Sequence, residues 1–191
     1  RNIRINAHPG LVDDTEARVI SSFADTISFD FVLDDLTIKE AFGSNRTGRD
    51  YVRAFDRLRK GKAKVVPHIL VGLYKGMVKG EYEAIEFLLA EGIDELIFIV
   101  FIPTPDTAWS SLSPPELDHV LRLMAWTRVK SPAIKITLGC MRPKGTYSQS
   151  LDVGSVLAGV DGIVLPHRRA ILAAQDRNLL ILRKEGCCAF D

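Results

Sequence analysis

Short apolar runs alternate with amphipathic stretches along this chain. Each run is almost continuously apolar and rich in Val, Ile and Phe, which is typical of strands buried on both faces of a sheet. The predicted strands are Ile3–Ala7, Thr26–Leu33, Ala63–Leu73, Glu95–Ile102, Ala133–Gly139 and Gly162–Leu165. The segments between the strands follow a helical period. The predicted helices are Asp14–Phe23, Arg49–Arg59, Glu81–Ala90, Pro114–Val129 and Asp176–Lys184.

Local signals mark several helix ends and suggest the fold. Thr47 is placed to cap the second helix, and Gly61 follows that helix. The segment 113–116 combines a capping box with proline at the first helical position. Strand, helix and strand repeated about six times imply a parallel sheet with right-handed crossovers. The periodicity is compatible with a doubly wound sheet or with part of a (β/α) barrel.

Composition excludes several classes of function. Of the 191 residues, 47% are hydrophobic and 26% are charged, the profile of a soluble globular protein with a single domain. The net charge of +1 gives no field that would draw the chain to nucleic acid or to an anionic membrane. The longest apolar run, Leu96–Ile102, is too short to span a bilayer. We therefore expect no nucleic-acid partner and no membrane association.

The cysteines and the first residue indicate the setting of the chain. Cys140, Cys187 and Cys188 are odd in number and two are adjacent, so they do not suit a disulfide framework and indicate a reducing, cytoplasmic location. The chain opens on Arg1 and enters strand-like sequence at once, which we interpret as truncation or processing. It contains no GxxxxGK(S/T) loop, no GxGxxG that opens a helix, and no Cys-x-x-Cys or HExxH zinc motif.

Polar and small residues follow the predicted strands. In (β/α) barrels the active site forms at the C-terminal ends of the strands. The candidate site residues at these strand exits are His8, Asp34, His68, Gly72, Pro103, Thr104, Cys140, Arg142, His167 and Arg168. This distribution favours a polar site, although strand exits are also loop starts, which are polar in most proteins.

Each candidate also has a purely structural interpretation. His8 precedes Pro-Gly and can shape a turn, and His68 can be a hydrogen-bonded core residue. Asp34 can cap the next short helix, and Arg168 can belong to a solvated helix start. Cys140 can be a small buried hydrophobe, as free cysteine often is. Both interpretations stay open at this point.

Five segments, in chain order, carry a resemblance to a known family. They are Thr26–Asp34, Ile69–Leu73, Pro103–Thr107, Ile136–Cys140 and Ala158–Ile163. These segments resemble strands four to eight of the biotin synthase-like branch of radical S-adenosylmethionine (SAM) enzymes. The resemblance implies that residues 1–191 form one domain, the C-terminal three-quarters of a (β/α) TIM-type barrel.

The resemblance also implies a SAM site. Asp34 would bind the ribose, the glycine-rich exit at Gly72 would approach the adenosyl group, and Pro103 with Thr104 would enclose the adenine. His68 would line the same site. We therefore expect Asp34, His68, Gly72 and Pro103 to face one cavity at the C-terminal end of the sheet.

Two departures from the family pattern matter. Lys75 stands where the family usually has Glu, and the CxxxCxxC loop that supplies three thiolates to a 4Fe–4S cluster is absent. The resemblance thus implies that the N-terminal cluster-binding segment, with two strands, is missing from this chain. Within the branch the chain looks most like uncharacterised biotin synthase homologues, some of which are similar to a subunit of two-component lipoyl synthases.

The resemblance implies a radical SAM enzyme when complete. Such an enzyme uses SAM and a 4Fe–4S cluster to generate a 5′-deoxyadenosyl radical for hydrogen abstraction, with sulfur insertion of the biotin or lipoyl synthase kind as a fitting reaction. The cluster ligands lie outside this chain, so we expect the chain alone to be inactive. Expected partners are a small-molecule or protein-bound acyl substrate and a second radical SAM subunit or an electron donor.

Two alternatives stay open. The first is a non-radical (β/α)-barrel lyase or aldolase that uses Lys75, Asp34 or His68. The second is a non-catalytic partner subunit of a radical SAM enzyme. Natural sheets normally cover such an edge as Ile3–Ala7, so we expect it to be paired with another chain, or the chain to be poorly stable.

The remaining strand-exit residues suggest contacts with substrate or an auxiliary iron–sulfur cluster. This set comprises His8, Cys140, Arg142, His167 and Arg168. Cys140 is the candidate metal ligand, with Arg142 close enough to favour its thiolate. A single thiolate cannot hold a cluster, so its partners would come from the missing segment, from another subunit or from Cys187 and Cys188. These last two lie beyond the final predicted helix and are otherwise interpreted as a frayed tail.

Overall fold

A computed structural model describes residues 3–190 of the chain. In this part, each strand is followed by one helix, or in one case by two, before the next strand. The elements are β1 (Asn6–Ala7), α1 (Asp14–Phe23), β2 (Thr26–Asp30), α2 (Asp35–Phe42), α3 (Gly48–Arg59), β3 (Lys64–Val71), α4 (Glu81–Ala90), β4 (Glu95–Val100), α5 (Leu117–Lys130), β5 (Lys135–Leu138), α6 (Thr146–Leu157), β6 (Gly162–Ile163) and α7 (Arg168–Gln175).

The strands form one parallel sheet in the order β1-β2-β3-β4-β5-β6. Each strand therefore pairs with its neighbours in sequence, whereas a doubly wound sheet would reverse this order in the middle. The predicted α/β fold class, a partial TIM-type barrel of about six parallel units, is confirmed. The end strands pair over two residues each, Asn6 and Ala7 in β1 and Gly162 and Ile163 in β6.

The main core lies between the convex face of the sheet and the helices. Side chains alternate along each strand, so Leu96, Phe98 and Val100 of β4 face the helices. They meet fully buried helix residues such as Phe55 and Leu88. The other residues of β4, among them Ile97 and Ile99, face the concave side. We call this concave side the lumen.

Helix starts follow the capping signals only in part. Thr47 and Asp50 form a capping box at α3, which confirms the predicted cap at Thr47. At α5 the helix begins at Leu117 with Glu116 as its cap residue, without a side-chain cap, so the predicted capping box over 113–116 is wrong. No helix among residues 3–190 is both long and apolar enough to cross a bilayer.

The region after β5 differs most from the sequence prediction. Two helices lie there, α6 and α7, and α6 was not predicted. Its sequence, TYSQSLDVGSVL, contains a glycine and many small polar residues, so its apolar stripe is weak. The predicted helix at Asp176–Lys184 is wrong, because the helical turns are at Arg168–Gln175 and the following residues are irregular. The apolar run Leu179–Leu182 suggested a helix, but these residues are exposed and not helical.

Candidate functional site

Polar side chains gather in the lumen on β1, β2 and β3 and just after β1. The Asn6 side-chain amide nitrogen lies 3.0 Å from Ser28 Oγ and 3.1 Å from His8 Nε2. His68 pairs in register with Asp30, whose side chain is exposed at the end of β2. We call Asn6, His8, Ser28, Asp30 and His68 the lumen cluster.

His68 is the buried member of the lumen cluster. It is only 3% exposed, and its ring lies 5.9 Å from that of His8, measured between centroids. Its Nδ1 is 3.1 Å from the Val66 carbonyl oxygen. A carbonyl can only accept, so Nδ1 donates and Nε2 of the neutral ring remains an acceptor. Burial lowers the pKa of His68, an effect that the nearby Asp30 carboxylate opposes.

The lowered pKa predicts how stability depends on pH. Below pH 6.5 the unfolded chain binds a proton at the ordinary histidine value, whereas the folded chain binds it only at a lower pH, so His68 makes stability fall as pH decreases through this interval. We expect the His68→Gln variant to lose this component, which amounts to at most about 1.4 kcal/mol per pH unit. The measurement is the free energy of unfolding from pH 5 to 8, in urea.

The matched control for this prediction is His119→Gln. The His119 side chain is 57% exposed on α5, far more than that of His68. Its replacement should leave the pH dependence of unfolding close to that of the wild type. A His68→Gln variant whose stability falls with decreasing pH as steeply as that of the wild type would show that His68 is not the responsible group.

Asp34 lies outside the lumen, at the start of α2. Its Oδ2 accepts hydrogen bonds from the backbone nitrogen of Thr37 at 2.7 Å and from Thr37 Oγ1 at 2.6 Å. Lys79 Nζ is 3.7 Å from the same oxygen. The cavity that Asp34 lines measures about 10 Å³, enough for one water at most. Asp34 thus acts as the helix cap that the sequence allowed as an alternative.

The glycine-rich segment that follows β3 packs against other residues of the chain. Gly72 has a φ of +80°, and a Cβ there would lie 2.7 Å from Pro115 Cγ. Its backbone nitrogen donates to Glu81 Oε1 at 2.7 Å. Glu81 is 6% exposed, and burial raises the pKa of its carboxyl group. The sequence predicted a helix start at Glu81 but missed its role in holding this turn.

The predicted common cavity for Asp34, His68, Gly72 and Pro103 is therefore not formed. His68 faces the lumen, whereas Asp34 lines the small cavity beside α2, and neither Gly72 nor Pro103 lines that cavity. Residues Pro103 and Thr104 lie in the loop after β4, where the Thr104 hydroxyl donates to the Ile102 carbonyl at 3.1 Å. Successive side chains of a strand point to opposite faces of the sheet, so residues close together at a strand exit can lie on different sides.

Arg142 has a structural position. It is 4% exposed, and its guanidinium forms a two-pronged ion pair with Asp152 of α6, at 2.8 and 3.1 Å. The same group donates to the carbonyls of Gly139 and Val164. With these donors engaged, Arg142 ties the ends of β5 and β6 to α6. The expectation that it assists the Cys140 thiolate or contacts substrate is wrong on this geometry.

The start of α7 holds the other predicted contact residues. The backbone nitrogen of His167 donates to Asp152 Oδ2 at 2.8 Å, and its ring Nδ1 accepts from the backbone of Arg169 at 3.2 Å. His167 is thereby the cap of α7. Arg168 is exposed in the first turn of that helix.

The cysteines at the end of the chain are not frayed. Cys187 and Cys188 pack in the lumen against Val66 and Ile97, with their sulfur atoms 3.9 Å apart. Burial, followed by the neighbouring Cys187, raises the pKa of Cys188 to about 12, and Cys140 adds to this effect. Cys140 itself is exposed beyond β5.

These residues do not fit an iron–sulfur cluster. Within residues 3–190, no group of three or more His, Cys, Asp or Glu side chains is arranged to hold a metal ion. Such a cluster is held by several Cys thiolates close together, and Cys140, Cys187 and Cys188 do not form such a group. Metal ligation by Cys140, predicted from the sequence, thus has no set of partners in the described part of the chain.

Comparison with solved structures identifies the fold. Methylornithine synthase (PylB) superimposes over 99% of this chain with a TM-score of 0.60 and 16% sequence identity. This chain therefore has a TIM-barrel-like fold, similar to that of this enzyme. It spans about half of the methylornithine synthase chain, 52%.

Other comparisons add little. A thermostable mutant of a xylanase (Xyn10A) from Cellvibrio japonicus covers 80% of this chain and is covered over 57% of its own length, with 15% identity and a TM-score of 0.45. No protein-family model and no curated protein sequence matches the chain. The similarity to methylornithine synthase therefore supports the barrel fold alone.

Proposed function

We propose that this chain is part of a radical SAM-type enzyme and that its lumen cluster binds SAM. The observation that carries the proposal is the position of Asp30, at the end of β2, in register with the buried His68 of β3, whose pKa is lowered by burial and affected by the Asp30 charge. SAM carries a sulfonium and an ammonium cation together with ribose hydroxyl donors. A carboxylate and an imidazole acceptor complement these groups. The position at the C-terminal ends of parallel strands is the usual one for barrel sites.

The chain's own residues would bind and orient the cofactor. Asp30 would attract its cationic groups, and His68 Nε2 would accept a hydrogen bond from a hydroxyl or ammonium group. Asn6 and Ser28, bonded to each other at 3.0 Å, would hold the floor of the site in one arrangement. When bound in a complete enzyme, SAM would supply the 5′-deoxyadenosyl radical that abstracts hydrogen from the substrate.

Residues 3–190 would not hold the 4Fe–4S cluster of such an enzyme, because they contain no group of side chains that fits one. Its ligands would come from outside these residues, either from a preceding segment or from a second radical SAM subunit. We propose further that the substrate is a small molecule or a protein-bound acyl group, that an electron donor is a partner, and that the reaction inserts sulfur. The barrel's open edge at β1 is a place for such a partner to pair.

The geometry argues against the lysine-dependent alternative. An aldolase lysine needs a lowered pKa to act as a nucleophile. Lys75 Nζ lies 2.6 Å from Glu40 Oε2, and this ion pair raises the pKa of Lys75. The Lys75 amine is therefore held in its charged form on the outer surface, which is the wrong state for a Schiff base.

Calorimetric titration of the chain with SAM tests the proposal. We expect Asp30→Asn and His68→Gln each to weaken SAM binding by about tenfold, because each removes a hydrogen bond or ion pair to a charged ligand. Asp118→Asn is the matched control, since that carboxylate is 74% exposed on α5 and far from the lumen. Unchanged affinity in both lumen variants would contradict the proposed site.

The Asp34→Asn variant separates this site from the one that the sequence predicted. Asn caps helices about as well as Asp, so the variant keeps α2 while removing the charge. We expect wild-type affinity for SAM from this variant. A loss as large as that of Asp30→Asn would instead extend the site to the start of α2.

A further inference from the structure

Residues 187–190 lie inside the barrel and not beside it. Ala189 is 1% exposed and packs against Val66 of β3 and against Ile97 and Ile99 of β4. We call residues 187–190 the lumen segment. Its contacts are to the face of the sheet that carries the lumen cluster, since Val66 and His68 are two residues apart on β3 and share a side.

The burial of the lumen depends on this segment. Val66 and Ile97 are 0% exposed although they lie on the concave face, where no helix of the outer layer reaches them. A six-stranded open sheet would leave such residues in contact with water. The lumen segment supplies the missing cover. His68, which is 3% exposed, lies on β3 between Val66 and Leu70, and both of these residues belong to the apolar cluster that contains Ala189.

Specific contacts hold the segment at both ends. The Asn6 amide nitrogen of the lumen cluster is 3.2 Å from Cys187 Sγ. The Arg4 guanidinium lies 4.1 Å from the centroid of the Phe190 ring. Between them, the Phe190 backbone nitrogen donates to the Cys187 carbonyl at 3.0 Å and closes a turn.

The connection to the rest of the fold allows the segment to leave. Residues 176–186 are exposed and irregular, and none of them takes part in the sheet. Gly186 has a φ of +130°, which other residues rarely adopt, at the point where the chain turns into the lumen. Release of residues 187–190 would therefore break no strand pairing.

We propose that the lumen segment is an autoinhibitory plug, which covers His68 and has to leave before a ligand can occupy the lumen. The segment fills the space in which a barrel binds its substrate, and its contacts among the described residues include the Asn6 amide, the cation–π contact of Arg4 and an apolar surface. Contacts of these kinds can be exchanged for those of a ligand. The identity of that ligand rests on the proposed function, but the plug itself does not.

Chemical labelling tests the plug without any ligand. Diethylpyrocarbonate modifies accessible imidazoles, so mass spectrometry of the labelled chain reports on His68, with the exposed His119 as an internal reference. We expect His68 to react at least about tenfold more slowly than His119 in the wild type. Ala189→Asp places a charge against Val66 and Ile97 and should raise the His68 rate several-fold. Leu180→Asp is the matched control, because Leu180 is 86% exposed in the connecting segment.

A second readout follows the segment itself. In a Cys140→Ser, Cys188→Ser background, the rate of maleimide labelling of Cys187 reports release of the plug. Ala189→Asp should accelerate this labelling and leave the sheet folded, as judged by far-ultraviolet circular dichroism. Phe190→Asp, which loses the contact with Arg4, serves if Ala189→Asp does not fold. Acceleration of Cys187 labelling without acceleration of His68 modification would overturn the plug, as would equal His68 rates in all variants.

Titration with SAM then separates the two proposals. If the plug competes with SAM, Ala189→Asp binds SAM at least about tenfold more tightly than Leu180→Asp. If labelling shows the plug but neither variant binds SAM, the plug stands and the proposed cofactor is wrong. Equal and measurable affinities in the two variants would show that the segment does not inhibit binding.

Discussion

Arg142→Ala should destabilise the chain by about 3–5 kcal/mol, because it leaves the Asp152 carboxylate buried without its partner. The side chains of this pair are 4% and 1% exposed, so water cannot replace the lost contact. The variant also frees the carbonyls of Gly139 and Val164 at the ends of β5 and β6. The measurement is the free energy of unfolding in urea, with a fall in Tm of roughly 6–20 °C.

Arg122→Ala is the matched control for that prediction. Arg122 also forms an ion pair, with Asp118 at 2.9 Å, but both side chains are 74% exposed. Exposed pairs of this kind contribute about 0.3–0.5 kcal/mol. A cost for Arg142→Ala as small as that of Arg122→Ala would return Arg142 to the list of candidate substrate contacts, because it would show that the buried pair does not hold the fold.

Phe55→Ala should cost about 3–5 kcal/mol by leaving a cavity between α3 and the sheet. The Phe55 ring is 0% exposed and lies 5.5 Å from that of Phe31 and 6.3 Å from that of Phe29, between centroids. Phe29 lies in β2 and Phe31 directly follows that strand, on the way to the cap of α2, so the loss should loosen that side of the barrel. Urea unfolding monitored by circular dichroism gives the measurement.

The control here is Phe23→Ala, which removes the same ring from an exposed site. Phe23 is 52% exposed at the end of α1, and its truncation should change stability by about 0.5 kcal/mol or less. If the two variants were equally stable, the core assigned between α3 and β2 would be wrong.

Local sequence patterns predicted the strands, most helices and one of the caps. The runs around Ile97 and Ile69 had the composition of buried strands, and the capping pair Thr47 and Asp50 lies within four residues. Where the pattern failed, a local signal was weak or misleading. Helix α6 has few apolar residues in register, and the apolar run at Leu179–Leu182 lies exposed after α7.

The candidate site was predicted only in outline. Strand exits correctly indicated where polar residues concentrate, but not which side of the sheet each one faces. Asp34 and Asp30 are four residues apart, yet one caps a helix and the other ends in the lumen. The role of Arg142 depends on Asp152, which belongs to a helix that the sequence did not predict.

The sequence by itself determined the alternation of strands and helices and the burial of the strands, because both depend on residues close together in the chain. Periodicity left the doubly wound sheet open, and the strand order of the tertiary structure confirmed the partial barrel that the resemblance implied. The tertiary structure alone decided that Arg142 is structural and that the lumen is covered. The contact between Asn6 and Cys187 joins residues 181 positions apart. Hydrophobic periodicity and capping rules concern residues only a few positions apart. Such distant pairs meet only when the parallel sheet curves and its concave face excludes water.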